Sequence, residues 1–261
     1  MSPKTIQKFD IAYSIGNTCG AAMYLRRHMM RFAAGPFDWL AGGSFQTRTE
    51  AILSEFKDFL NREDLELRER DFDHDLVHEH DYYYNNRNQL RHYHDFKAGM
   101  PLSETFPAVQ NKYQRRINRF LNDLRQSKVL LIWFALNEST TDTDLVQYCR
   151  QIIRKYGRNI HFLIIEHSKD SDIIYRRLDD NVEHYQSFLQ TQHRKGPFVT
   201  LGDVTKVNKI LKRYIVRNSR MLLFKKIICK FAARILTSVV PNKRMRRELR
   251  RKLYSSDNIS H

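Results

Sequence analysis

The chain has 261 residues, of which 41% are hydrophobic and 12% aromatic; these are proportions of a folded protein and argue against intrinsic disorder. Its three cysteines, Cys19, Cys149 and Cys229, are odd in number and widely spaced, which argues against a disulfide framework and against a structural zinc site built from paired ligands. The net charge of +16 is uneven: residues 206–254 hold 17 Lys and Arg against the single acid Glu248, whereas residues 1–205 hold 28 against 27. The expected division is therefore a nearly neutral domain over residues 1–218 and a basic tail over 219–261.

The segment from Met1 to Lys8 lacks the apolar core of a signal peptide, and no apolar run reaches transmembrane length. A cytoplasmic, reducing setting is expected. Ile11-Ala-Tyr-Ser-Ile then reads as a strand, broken at Gly16-Asn17-Thr18, and helix formers continue from Cys19 to about Met30. Cys19 falls in or near the first helical turn, where unpaired backbone N–H groups and the helix dipole favour a thiolate. The alternative is a small buried residue that closes a strand-to-helix contact.

Gly35-Pro36 stops that helix, and Phe37-Asp38-Trp39 anchors a loop. Asp38 is either a structural acceptor or the group that orients a histidine. Ser44 to Leu60 reads as a capped amphipathic helix. The acidic stretch Asp71 to Asp81 carries His74, His78 and His80, but no H-E-x-x-H motif is present, and a solvated surface segment without metal is expected. In Leu90-Arg-His92-Tyr-His94-Asp95-Phe96 the alternation suits a strand, with Leu90, His92, His94 and Phe96 facing inward. An inward His94 that met Cys19 would make an activated thiol, the imidazole taking its proton and later returning one.

Residues 104–126 form a helix with Tyr113, Ile117, Phe120, Leu121 and Leu124 on its apolar stripe. Lys128 to Leu136 is an apolar strand, a helix capped at Asp142 or Asp144 runs to Gly157, and Ile160 to Ile165 is a second apolar strand. This is a βαβ unit with both sheet faces covered. Asn137, Glu138 and Ser139 lie at the carboxyl end of its first strand, the edge that carries ligands in open α/β sheets. Strands are expected near Val182–Phe188 and Pro197–Leu201, then a helix from Asp203 toward Asn218. From Met221 a broad apolar face stands beside Lys225, Lys226, Lys230 and Arg234, and a polybasic cluster follows from Lys243 to Lys252. That is the pattern of a helix on an anionic membrane surface. Docking of the stripe on the domain is a second option, and nucleic acid, which gives no reason for the apolar stripe, a third.

Ser14-Ile-Gly-Asn-Thr-Cys19, Leu25-Arg26-Arg27, Pro36-Phe-Asp38-Trp-Leu, Arg62-Glu-Asp-Leu65, His94-Asp-Phe96 and Tyr113-Gln-Arg-Arg-Ile occur in that order. Over about residues 9–165 the chain resembles a bacterial family of uncharacterised proteins catalogued as papain-like cysteine peptidases and associated with surface-polysaccharide biosynthesis. The resemblance implies a Cys19 nucleophile, a His94 base, and Asp38 or Asp95 orienting the imidazole. Asn17, Arg26, Arg27, Trp39 and Glu138 are the expected substrate contacts. No cofactor is expected, and a cell-envelope glycan or its precursor is the expected substrate. The expected fold is α/β, a three-layer Rossmann-like or SGNH-like domain with a mainly parallel sheet and a basic amphipathic C-terminal helix; a papain-like α+β fold is the alternative.

Overall fold

Val129–Ala135 (β7) is apolar at every position, and in the computed structural model every one of its residues is buried. The structure describes residues 6–69, 79–137, 140–190, 201–238 and 245. β7 lies inside a five-stranded sheet with β2 (Ile11–Ser14), β8 (Ile160–His167), β9 (Ile174–Asp179) and β10 (Val182–Ser187), in the order β2-β7-β8-β10-β9. The pairs β2/β7, β7/β8 and β8/β10 are parallel and β9 is antiparallel. Alternate residues feed two separate cores. Leu131, Trp133, Phe162 and Ile164 face one, and Leu130, Phe134, Leu163 and Ile165 the other. A strand that reads as one apolar run is thus a strand buried on both faces.

The first core is closed by α2 (Phe45–Leu53), α3 (Leu102–Gln126) and α4 (Asp142–Tyr156), the second by α1 (Gly20–Arg27) and α5 (Val204–Leu211). The expected βαβ unit is β7-α4-β8, with Thr141 capping α4 through Asp144 N–H. The Rossmann-like expectation does not cover a second, four-stranded antiparallel sheet, β3 (Leu40–Gly42), β6 (Leu90–Lys97), β5 (His80–Asn85) and β4 (Leu65–Arg68), between α1 and α3. Its Leu40, Tyr83, Leu90 and Phe96 join the first core. Two short parallel strands, β1 (Gln7–Phe9) and β11 (Tyr214–Val216), pair beside the second core.

Two boundaries differ from expectation. The helix expected to reach Leu60 ends at Leu53, because Glu55, Phe56 and Asp58 take left-handed backbone angles, yet Phe56, Phe59 and Leu60 stay buried. The helix capped by Asp203 ends at Leu211, and the chain then enters β11 and the terminal helix α6 (Ser219–Ser238). The strand expected over Pro197–Leu201 and the histidines His74 and His78 lie outside the described residues, apart from Leu201 itself.

Candidate functional site

Ser14 ends β2 and the chain turns through Gly16-Asn17-Thr18 into Cys19, the N-cap of α1. A Cβ at Gly16 would stand 2.8 Å from both the N and the O of Phe134, so only glycine lets the turn lie against β7. Thr18 Oγ1 accepts from Gly20 N–H at 3.2 Å, and Asn17 O accepts from Gly42 N–H at 2.9 Å. The second of these bonds ties the cysteine turn to β3.

β3 in turn pairs with β6, setting Leu40 opposite His92 and Gly42 opposite Leu90. Along β5 and β6 the register slips. From Asp81 to Tyr83 β5 advances two residues while β6, from Phe96 to His92, covers four. The extra residues bulge out, which breaks the period-two alternation and lets His92 and Asp95, three apart, meet. His92 Nδ1 is 2.7 Å from Asp95 Oδ2, and the ring is fully buried. Tyr113 O–H donates to the same Oδ2 at 2.7 Å, and Lys112 Nζ lies 2.5 Å from Oδ1. Burial pushes the Asp95 carboxyl up, but the hydrogen bond from His92 and the Lys112 ammonium outweigh it and hold it well below the usual carboxylate range. An ionised Asp95 fixes the proton on Nδ1, leaving Nε2 as the acceptor, and Nε2 is buried with no hydrogen-bond partner among the described residues.

Burial pushes the Cys19 thiol up to about 11; the Arg48 guanidinium pulls it down, and the Asp38 and Asp95 charges raise it again. The expectation of a resting thiolate at a helix N-terminus is therefore overridden by desolvation. Arg48, Asp38 and Asp95 thus lie close enough for their charges to act on this sulfur. Arg48 is itself fully buried, donating to Leu40 O at 3.2 Å and to Gly42 O at 2.7 Å. It thus grips the strand that holds the cysteine turn.

The other expected residues are distributed differently. His94 does not face inward: the bulge turns it out, where its exposed ring stands 6.1 Å from that of Trp39 and 6.4 Å from that of His80. Asp38 is 2% exposed, and its Oδ2 is held by Arg31 Nε at 2.6 Å and Gly35 N–H at 3.2 Å, so it fastens the loop after α1. Trp39 has a left-handed φ of 69°, unusual for an indole, and packs beside Arg31. Arg26 and Arg27 are exposed in the last turn of α1, about 10 Å along the axis from Cys19, where they complement the helix dipole. Glu138 lies outside the described residues.

A buried polar network stands near the expected ligand edge. Fully buried Glu166 accepts from Trp133 Nε1 at 2.9 Å and stands 3.2 Å from His184 Nε2, while His184 and Arg176 reach Asp142. Among the described residues no group of three or more His, Cys, Asp or Glu is placed to hold a metal ion.

His92 was visible in the sequence as one of the inward residues of its strand, but alternation gave it no preference over His94. Tyr113 was legible on a helix stripe and in a segment of the resemblance but not as a partner of Asp95, and nothing in the sequence links Lys112 to Asp95 or Arg48 to Cys19.

These features define a mixed α/β protein in which a cysteine at a strand-to-helix turn lies near a buried histidine–carboxylate pair. Residues 10–170, more than half of the chain, match the family described as "Putative papain-like cysteine peptidase (DUF1796)", and the chain belongs to that family. It is also similar to "Uncharacterized protein R408" of Acanthamoeba polyphaga mimivirus, 27% identical over 129 residues, which are 45% of this chain and 58% of that protein. The chain thus spans under two thirds of that relative's length. No solved structure matches.

Proposed function

We propose that the protein is a thiol-dependent hydrolase or acyl-type transferase in which Cys19 is the nucleophile, His92 the base and Asp95 the group that orients His92. The observation that carries this reading is the buried Asp95–His92 pair, whose Nε2 has no hydrogen-bond partner among the described residues, on a strand joined through β3 to the cysteine turn. His92 takes the role that the resemblance implied for His94. The thiol is protonated at rest, so the first step is proton transfer from sulfur to Nε2 as the S–C bond to the acyl carbon forms. The C–X bond then breaks, and the imidazolium returns the proton to X. Water or an acceptor hydroxyl, deprotonated by the same nitrogen, next attacks the thioester, and the C–S bond breaks to restore the thiol. Gly20 N–H is already engaged by Thr18, so other backbone N–H groups of the turn hold the oxyanion. Trp39, strained and half-exposed beside His94, lines the substrate side. The substrate we infer is an acyl derivative of a cell-envelope glycan or its precursor, a reading supported by the sequence resemblance alone.

The test is turnover of p-nitrophenyl acetate, an O-acetylated oligosaccharide and an unfolded polypeptide, with mass spectrometry for an acyl group on Cys19. Cys19→Ser and His92→Ala should each lower turnover of the accepted substrate by about 10²-fold or more, with His94→Ala within a few-fold of wild type. Full turnover by Cys19→Ser, or equal losses in the two histidine variants, would sink the assignment.

A further inference from the structure

Helix α6 starts in a secure seat. Ser219 is buried with its Oγ accepting from Val216 N–H at 3.2 Å, Arg220 donates to Lys212 O at 3.0 Å, and Lys226 Nζ lies 3.6 Å from the Met29 sulfur. Leu222 and Leu223 are half-buried on the same side. Only part of the apolar stripe is used in this docking. Met221 is 51% exposed, Phe224 63%, Ile227 56%, Ile228 50% and Phe231 65%. At 100° per residue these five side chains fall within an arc of about 120°, an apolar face that carries exposed Arg220 at its N-terminal end. An exposed face of this kind, rimmed by polar groups, marks an interaction surface.

Charge selects the occupant. Arg220 and Lys225 are exposed on this helix, and the stretch from 206 to 254 has 17 basic residues and one acid. A second copy of the chain would bring +16 against +16, which opposes self-association. Nucleic acid would satisfy the cations but leave Met221, Ile227 and Ile228 with nothing apolar to meet. No described helix is long and apolar enough to cross a membrane. A surface that takes cations at its phosphates and apolar side chains just beneath them satisfies both halves of the helix.

We propose that α6 lies in the headgroup layer of an anionic bilayer, with Met221, Phe224, Ile227, Ile228 and Phe231 turned into the acyl boundary and Arg220 and Lys225 at the lipid phosphates. The proposal does not depend on the thiol chemistry, so Cys19→Ala should bind as wild type does. The test is flotation of the full chain with vesicles of phosphatidylcholine alone and with about one third phosphatidylglycerol. Wild type should float with the mixed vesicles only, and the Phe224→Ser/Ile228→Ser double variant should partition at least about tenfold less. Lys225→Glu should also weaken binding, and raised salt should reduce it. Both positions in the double variant are at least half exposed, so its thermal midpoint should match wild type and separate lost binding from lost folding. Failure of wild type to float, equal binding to neutral vesicles, or undiminished binding by the double variant would overturn the proposal. So would a wild-type dimer that the same two substitutions dissociate.

Discussion

Asp95 has three partners, His92, Lys112 and Tyr113, and each favours its ionised form or is held by it. Its folded carboxyl titrates below its ordinary value of 3.8. The stability it contributes is therefore complete above that value and is lost as pH falls through and below it. Asp95→Asn should cost about 1–3 kcal/mol at pH 7 in urea unfolding, and the gap from wild type should shrink below pH 3.8. Asp38 has the opposite sign: burial raises its carboxyl, so the folded state binds that proton more tightly and acid spares this group. Arg48 acts on the sulfur and on β3 together. Arg48→Met should lower stability by about 2–3 kcal/mol and move the Cys19 thiol further up, measured by urea unfolding and by the pH dependence of its alkylation.

Among the elements, the turn from β2 into α1 and the bulge in β6 do most to shape the site. Gly16→Ala forces a Cβ against the Phe134 backbone, which cannot move without disturbing β7, and should cost about 1–3 kcal/mol of stability. Its thermal midpoint should fall, and Cys19 should become more accessible to alkylation. The turn was legible because Gly-Asn-Thr breaks a strand pattern before a helical one. β7, α4 and β8 were legible because apolar runs and a capped helix follow each other in short order. The antiparallel sheet was not, since β3 is only three residues long and gains its meaning from pairing with β6, about fifty residues later. The bulge leaves no mark in the alternation of residue types, which is why His92 and His94 could not be told apart from sequence. Arg48 lies in a stretch that reads only as an amphipathic helix; its burial depends on two carbonyls of a strand that local pattern does not reveal.

At the scale of the whole molecule, the central sheet buries both faces and sends Cys19 out at the carboxyl end of β2, parallel to β7. A buried polar network around Glu166 stands at the corresponding end of β7 and β8, and the candidate site is on the β2 side, where the cysteine turn bonds to the antiparallel sheet. The charge asymmetry read from the sequence coincides with this layout, since the near-neutral residues 1–205 contain the site and the basic stretch begins after it. The proposed chemistry rests on one coupling, that of the Cys19 thiol to His92. Cys229 is exposed and would also react, so the measurement is the rate of iodoacetamide alkylation of Cys19 against pH in a Cys229→Ser background, with and without His92→Ala. The predicted result is a rise toward about pH 11 in both proteins, with an added rate at neutral pH in the parent that His92→Ala removes. A single identical rise near the ordinary thiol value of 9.0 in both would contradict it.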